Sequence, residues 1–341
     1  MSPKVGPFLF IADPISGLKP ATDTGLALLS ESIGRGVECY WTTADGIFLE
    51  KNRVMASALL IDDAPKAEHP TSSGETAVFP VDACQVVFIR KDPPFDARYL
   101  SLCWLLNMLP SNVLVTNRPS VLISHHEKCV PLLALKAGFL GPDDVIPSSV
   151  LFCRESYAIW CKRQEGKSES RWIVKPWLGH GGRGVRRAES LQELDSLLAN
   201  NDAFDDGCIV QPYHAMIEHT GDRRVFYLDG KIRGSYVRRA QAGEYVTNLA
   251  QGGYAEFVDM TEAEVALCER VARYLRSVGV DFAGIDVVDT RINEINITAP
   301  TGIRVLQKFS DADLASDYID VICGRLEKLR DKVSLSYEEF G

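Results

Sequence analysis

Residues 282–304 read FAGIDVVDTRINEINITAPTGIR, a run in which acids and amides alternate with apolar residues. Ile285 and Val287 flank Asp286, and Ile295 and Ile297 interleave with Glu294 and Asn296, which is the period-2 signature of strands. Two strands joined by a short turn fit best. Side chains two apart share a strand face, so Glu294 and Asn296 point the same way. Asp286 joins them if residues 286 and 294 stand opposite each other, which calls for an odd-length connection such as Asp289-Thr290-Arg291. Three oxygen donors then occupy one patch. Hard oxygens with only two carboxylates suit Mg²⁺ that keeps its other positions for water and phosphate, whereas a closed zinc cage is not suggested. A surface hairpin with solvated acids is the alternative, and the apolar neighbours weaken it, because acids in a buried strand need partners.

Working outward, RWIVKP places Lys175 on a strand beside Ile173 and Val174, where a lysine needs an anion. The loop that follows, Gly179-His180-Gly181-Gly182-Arg183-Gly184, lets backbone N–H groups approach phosphate oxygens closely. It lacks the GK[ST] ending of a Walker A loop. GDRRVFYLDGKIRGSYVRR is a hairpin turning at Asp229-Gly230, with Arg224 and Arg239 on neighbouring strands. Guanidinium groups grip phosphate bidentately, which explains arginine there. The strand QVVFIR stops at Lys91-Asp92-Pro93-Pro94, so Arg90 and Lys91 stand at a strand end where an anionic substrate would arrive.

The chain opens as PFLFIA, a helix capped at Thr22/Asp23, and GVECYWTT; strand, helix, strand implies a parallel sheet with functional loops at its carboxyl edge. Residues 51–80 read as irregular and polar. An apolar helix (YLSLCWLLNML) and a short strand (VLVTN) lead to a boundary near residue 120. Ser124 to Leu135 reads as one helix containing His125, His126 and Lys128. Adjacent histidines on a helix cannot face one metal, so no site is expected there. Strands SSVLFC and CIVQPYHAM bracket a polar helix at about 155–165 and the helix LQELDSLL. Thr261 and Glu264 form a capping-box pattern before an amphipathic helix, and a final helix spans about 311–332.

At 341 residues two or three subdomains are expected. A net charge of −9 argues against general nucleic-acid binding, and no apolar run approaches the ~18–20 residues of a membrane span. Nine cysteines without CxxC or Cys/His spacing read as reduced core thiols of a cytoplasmic protein.

The 286–296 segment, the words RKDPPFD and Asp13-Pro14-Ile15, and a lysine-proline pair followed by a glycine-rich loop resemble bacterial glutathione synthetases of the ATP-grasp superfamily. The resemblance implies an α/β and α+β architecture: a Rossmann-like (pre-ATP-grasp) domain at 1–120, a lid at 121–205 and a C-terminal grasp subdomain at 206–341. It implies that Asp286, Glu294 and Asn296 hold two Mg²⁺ ions, Mn²⁺ being the alternative ion, that bridge the ATP phosphates. Lys128, Lys175, Gly181, Gly182, Gln211, Tyr213, His214 and Asn248 would contact ATP. Arg224 and Arg239 would serve the phosphate and an acyl-phosphate intermediate, and Asp13, Thr24, Arg90, Lys91, Gly252, Gly253 and Thr301 the substrates. The implied activity joins γ-glutamylcysteine to glycine, in a homo-oligomeric dimer or tetramer. Val246 and Tyr254 stand where that family typically carries arginine, Ala299 where it carries serine, and Val305 where it carries an acid. Those four departures keep open a paralogous ligase with another acid or amine. A nucleotide-binding module without turnover is the reading from another class.

Overall fold

An unbroken apolar strand can satisfy itself only with sheet neighbours on both sides and cover on both faces, and Phe8–Ala12 has both. It pairs in parallel with Cys39–Thr42 and with Val86–Arg90, and Val86–Arg90 pairs in parallel with Leu114–Thr116. Helix Thr24–Gly34 lies between the first two strands in sequence; Asp23 caps it, accepting from the Leu26 amide at 2.7 Å. This computed structural model describes residues 6–338 apart from 65–68, 73, 166–170, 200–203, 242–246 and 311, with backbone alone for 250 and 331–338.

Two local expectations change. Residues 51–80 are not irregular: Arg53–Ile61 and Thr76–Pro80 are antiparallel strands that extend the N-terminal sheet. Alternation is present in the first of them, but two of its buried positions are Ala56 and Ala58, whose small side chains give little hydrophobic signal. The expected helix Ser124–Leu135 is two helices, Pro119–Ser124 and Val130–Lys136. Pro131 lacks an N–H and is tolerated only in a first turn, so the chain breaks at 125–129 and restarts. The break turns Glu127 and Lys128 inward.

The middle sheet is antiparallel, in the spatial order Arg186–Ala188, Trp172–Pro176, Cys208–Pro212, Ser149–Leu151. It has its own apolar core, centred on Trp160, Trp172, Tyr157 and Phe204. Cys208–Pro212 belongs to this sheet, so a boundary at 205/206 would part that strand from its neighbours. The N-terminal and C-terminal sheets, by contrast, contribute jointly to two continuous cores.

The C-terminal sheet runs Tyr254–Glu256, Lys231–Arg239, Asp222–Leu228, Phe282–Val288, Arg291–Asn296, all antiparallel. One face carries Val225, Tyr227, Ile285 and Ile295 in a core that also holds Leu267, Val271 and Leu275 of helix Glu262–Ser277. That helix starts with the expected capping box. The other face carries Phe226, Leu228 and Phe282 in a core shared with helix Ile303–Leu306 and the long helix Leu314–Glu338. Along that second face the same alternation continues into Arg224, Asp222 and Asp286, where the apolar residues give way to charge.

Asp286 and Glu294 are register partners, as the spacing demands, but the turn between their strands is two residues rather than three. Asp289 and Thr290 both take positive φ, 49° and 60°, and the odd residue sits in a bulge at Asn293. The Asp229-Gly230 hairpin uses the same device, with its register shift at Phe226/Tyr227.

Candidate active site

Between the middle and C-terminal sheets lies a cavity of about 400 Å³. Its lining draws on every part of the chain: Asp92 from the N-terminal sheet's edge, Lys128 from the broken helix, Lys175 and the glycine loop from the middle sheet, and the charged end of the C-terminal sheet.

The wall is an ordered array of opposite charges. Asp286 is buried and takes Arg224 Nε on Oδ1 at 2.6 Å and Arg224 Nη2 on Oδ2 at 3.2 Å. Arg238 Nη2 stands 2.9 Å from the same Oδ2. Burial works to raise the Asp286 carboxyl, but Arg224 and Arg238 hold it below the usual carboxylate range. Asp222, also bonded to Arg238, is pushed up to about 6 by burial despite that guanidinium, with Asp286 adding to the rise. Lys128 Nζ lies 3.7 Å from Glu127 and 3.6 Å from Glu294, and donates to the Gly179 carbonyl. Glu127 is buried, accepts from Thr298 Oγ1 at 3.1 Å, and is raised to about 7 by burial and by Glu294. Lys175 Nζ donates to Asn293 Oδ1 at 2.8 Å; burial pushes its ammonium down, with Glu294 pulling it partly back.

Asp286, Glu294 and Asn296 line one wall of this cavity. Asn296 donates its amide to Gly284 O at 3.4 Å and to Asp286 Oδ2 at 3.2 Å, which leaves its carbonyl oxygen for a cation. The Glu294 carboxylate has a lysine 3.6 Å away and, among the described residues, no closer ion pair. Two carboxylates and an amide oxygen fit a hard divalent ion that retains several water or phosphate ligands. No cluster of three or more His, Cys, Asp or Glu suited to a metal occurs among the described residues.

Of the residues expected to contact nucleotide or catalyse, Lys128, Lys175, Gly181, Gly182, Gln211, Tyr213, His214, Asn248 and Arg224 line the cavity. Gly181 and Gly182 take positive φ, 62° and 76°, which the loop's tight turn requires of glycine. Gln211 is fixed by a bond to Ser148 Oγ at 2.8 Å, and the Tyr213 ring is flanked by Arg171 and Arg187 at 5.0 and 5.1 Å. Arg239 does not line it. It turns outward to Glu256 and the His219 carbonyl, while its neighbour Arg238 faces in. Adjacent strand residues face opposite ways, and the bulge at the Asp229-Gly230 hairpin decides which of the two is inside.

Of the expected substrate contacts, Thr301, Arg90 and Asp13 lie at the cavity or bond to residues that line it. Thr301 lines it directly, and Arg90 reaches the adjoining Pro300 carbonyl at 2.8 Å. Asp13 Oδ2 accepts from the Asp92 amide at 2.9 Å, and Lys91 caps the Tyr99 ring at 5.6 Å. Thr24 is buried, its hydroxyl without a hydrogen-bond partner among the described residues. Burial raises the Asp92 carboxyl to about 6, with Asp13 adding to it and Arg90 opposing. Gly252 and Gly253 belong to a compact turn; a Cβ on Gly253 would meet Thr247 O at 2.2 Å, so glycine is required.

Of the three departures among the described residues, Ala299 alone lines the cavity. Val305 is buried in the core beneath it, Tyr254 stands exposed on the sheet's edge strand, and Val246 lies outside the described residues. Sequence reasoning passed over four residues of the site or its frame: Arg238, Asp222, Asn293 and Glu127. A fifth, Asn117, spends all four of its side-chain bonds joining the N-terminal sheet to Asp281, Phe282 and Ile297. A signal existed for Glu127, an acid between His126 and Lys128 just before Pro131.

The chain matches the family described as prokaryotic glutathione synthetase, N-terminal domain, over residues 7–122, and prokaryotic glutathione synthetase, ATP-grasp domain, over residues 144–311. It is 32% identical over 317 residues to a protein of Prochlorococcus marinus named glutathione synthetase, covering 91% of this chain and 96% of that one. A protein of Mesorhizobium japonicum with the same name is 31% identical, covering 92% and 96%. The solved D-alanyl-alanine synthetase A of Vibrio cholerae superposes with a TM-score of 0.64 at 12% identity over 95% of this chain and 99% of that one, a likeness of fold. Among the described residues no helix is long and apolar enough to cross a membrane. By sequence match over nine-tenths of its length and by an ATP-grasp fold, the chain belongs to the prokaryotic glutathione synthetase family.

Proposed function

We propose that this protein is an ATP-dependent carboxylate–amine ligase, a glutathione synthetase that joins γ-glutamylcysteine to glycine with release of ADP and phosphate. One observation carries the reading: a single cavity gathers the cationic side chains Lys128, Lys175, Arg224 and Arg238 with the oxygen donors Asp286, Glu294 and Asn296, beside a glycine-rich loop.

A carboxylate does not react with an amine in water because hydroxide is a poor leaving group. Transfer of the ATP γ-phosphoryl to the acid forms an acyl phosphate and releases ADP; the amine then attacks the acyl carbon and phosphate departs. Lys128, Lys175, Arg224 and Arg238, which line the cavity, would stabilise the charge on the transferring group. Two Mg²⁺ ions held by Asp286, Glu294 and Asn296, or Mn²⁺ in their place, would neutralise phosphate charge there. Arg90 and the 298–301 loop shape the acid's end of the cavity, and the glycine loop closes the nucleotide's. No side-chain nucleophile is needed. Assembly as a dimer or tetramer and a cytoplasmic location belong to the same proposal.

Ala299 on the cavity wall keeps a related ligase with another acid or amine as the second reading. The test is ADP release from purified protein with Mg²⁺-ATP, γ-glutamylcysteine and a panel of amines. Turnover with glycine that is lost in Glu294→Ala supports glutathione synthesis. Turnover with a different amine selects the second reading, and nucleotide binding without turnover makes the protein a binding module.

A further inference from the structure

Asp222 is a buried carboxylate that neither the expected metal set nor the expected phosphate set includes, yet it lines the cavity. It is the register partner of Arg238 across the hairpin. Its Oδ2 accepts from Arg238 Nη2 and, at 3.2 Å, from Thr247 Oγ1; its Oδ1 is buried with no hydrogen-bond partner among the described residues. Arg238 Nη2 is therefore shared between two carboxylates, Asp222 and Asp286, the second at 2.9 Å. Asp286 is also gripped by two nitrogens of Arg224.

This arrangement has a cost for any cation that uses Asp286. Its oxygens already face two guanidinium groups, and a buried guanidinium that loses its carboxylate is strongly penalised unless another anion takes over. Asp222 is that other anion. We propose that Asp222 is a positioning residue that draws Arg238 off Asp286, so that Asp286 is released to a divalent cation while Arg238 stays on the cavity wall. The assignment rests on the reading of Asp286 as a cation ligand. Without the Asp222 charge, Arg238 has Asp286 alone, and the cation must compete with it directly.

The readout is the Mg²⁺ concentration that half-saturates ADP binding, measured by calorimetry at fixed ADP, with no turnover involved. Asp222→Asn is expected to raise it about tenfold. Arg238→Gln, which frees Asp286 from one guanidinium, does not raise it, and the double variant matches Arg238→Gln within about twofold, because distant effects would add whereas an effect exerted through Arg238 vanishes with it. Asp222→Ser serves as the second variant if Asp222→Asn does not fold, with the same expectation. An unchanged Mg²⁺ requirement in the Asp222 variants, or a tenfold effect that persists in the Arg238→Gln background, overturns the assignment while leaving the proposed function intact. Failure of the unsubstituted protein to bind ADP with Mg²⁺ overturns both.

Discussion

Lys175 and Asn293 meet at 2.8 Å across the cavity, a strand lysine of the middle sheet bonded to the bulge residue of the C-terminal sheet. The bulge that brings Asp286 opposite Glu294 thus also supplies the acceptor that holds a buried ammonium in place. Asn293→Ala removes the acceptor and leaves a desolvated lysine free to turn; the expected KM for ATP rises about threefold, a loss within the range of one neutral-acceptor bond. Asn293→Asp adds a competing anion, so Lys175 is pinned away from phosphate and KM rises on the order of tenfold. An Asp variant that binds ATP as well as the unsubstituted protein would show that Lys175 does not contact the nucleotide.

Arg238 and Arg239 form a second, sharper comparison. Arg238 is buried between two carboxylates, and burial lowers its pKa less than Asp222 and Asp286 raise it, so it stays charged. Arg239 pairs with the half-exposed Glu256. Arg238→Gln is expected to lower kcat by on the order of a hundredfold, the scale of losing one aligned cationic donor. Arg239→Gln is expected to change it less than about threefold, since exposed ion pairs contribute little. Steady-state ADP release distinguishes the two, and equal losses would reverse the assignment.

How far the sequence reached follows from the same two residues. Period-2 alternation placed Glu294 and Asn296 on one face, and Asp286 with them once its strand was set opposite, because that rule depends only on spacing within a strand. It could not choose between Arg238 and Arg239, because a bulge earlier in their strand shifts the parity and bulges leave little trace in composition. Asp222 was illegible, and the burial of Glu127 with it, for another reason. Each is defined by partners 16 and 171 residues away, and nothing local marks an acid as buried. The strand Arg53–Ile61 was missed because two of its four buried positions are alanine, and Thr76–Pro80 because none of its residues is fully buried, whereas the glycine loop and the Asp229-Gly230 turn were legible because they need specific residues.

Glu127 makes a pH-dependent contribution whose sign is opposite to the common carboxylate case. Its carboxyl titrates near 4.5 in the unfolded chain and is raised to about 7 in the fold by burial and by Glu294. Between those values the native state keeps a proton that the unfolded state has lost, so stability falls as pH rises through the window. Glu127→Gln, neutral throughout, is expected to flatten that slope and to be the more stable protein near pH 8, by about 3 kcal/mol at most. Urea midpoints at about pH 5 and pH 8 measure it, and a slope unchanged by the substitution would refute the raised carboxyl.

The middle sheet has a core of its own. Trp160 and Trp172 meet edge to face at 4.9 Å, both buried, in a cluster that shares no residue with the two cores joining the N- and C-terminal sheets. Removing a buried tryptophan costs about 3–5 kcal/mol, through lost transfer energy and the cavity left behind. Because that cost falls on a core the rest of the molecule does not use, Trp172→Ala should loosen strands Ser149–Leu151, Trp172–Pro176, Arg186–Ala188 and Cys208–Pro212 selectively. Amide exchange in those strands is expected to quicken by on the order of a hundredfold or more, while Phe8–Ala12 and Phe282–Val288 keep their protection. The same substitution lowers ATP affinity, since Lys175 and the glycine loop ride on the loosened sheet. Uniform loss of protection across all three sheets would mean that they unfold as one unit and that the middle sheet is not free to move over the nucleotide.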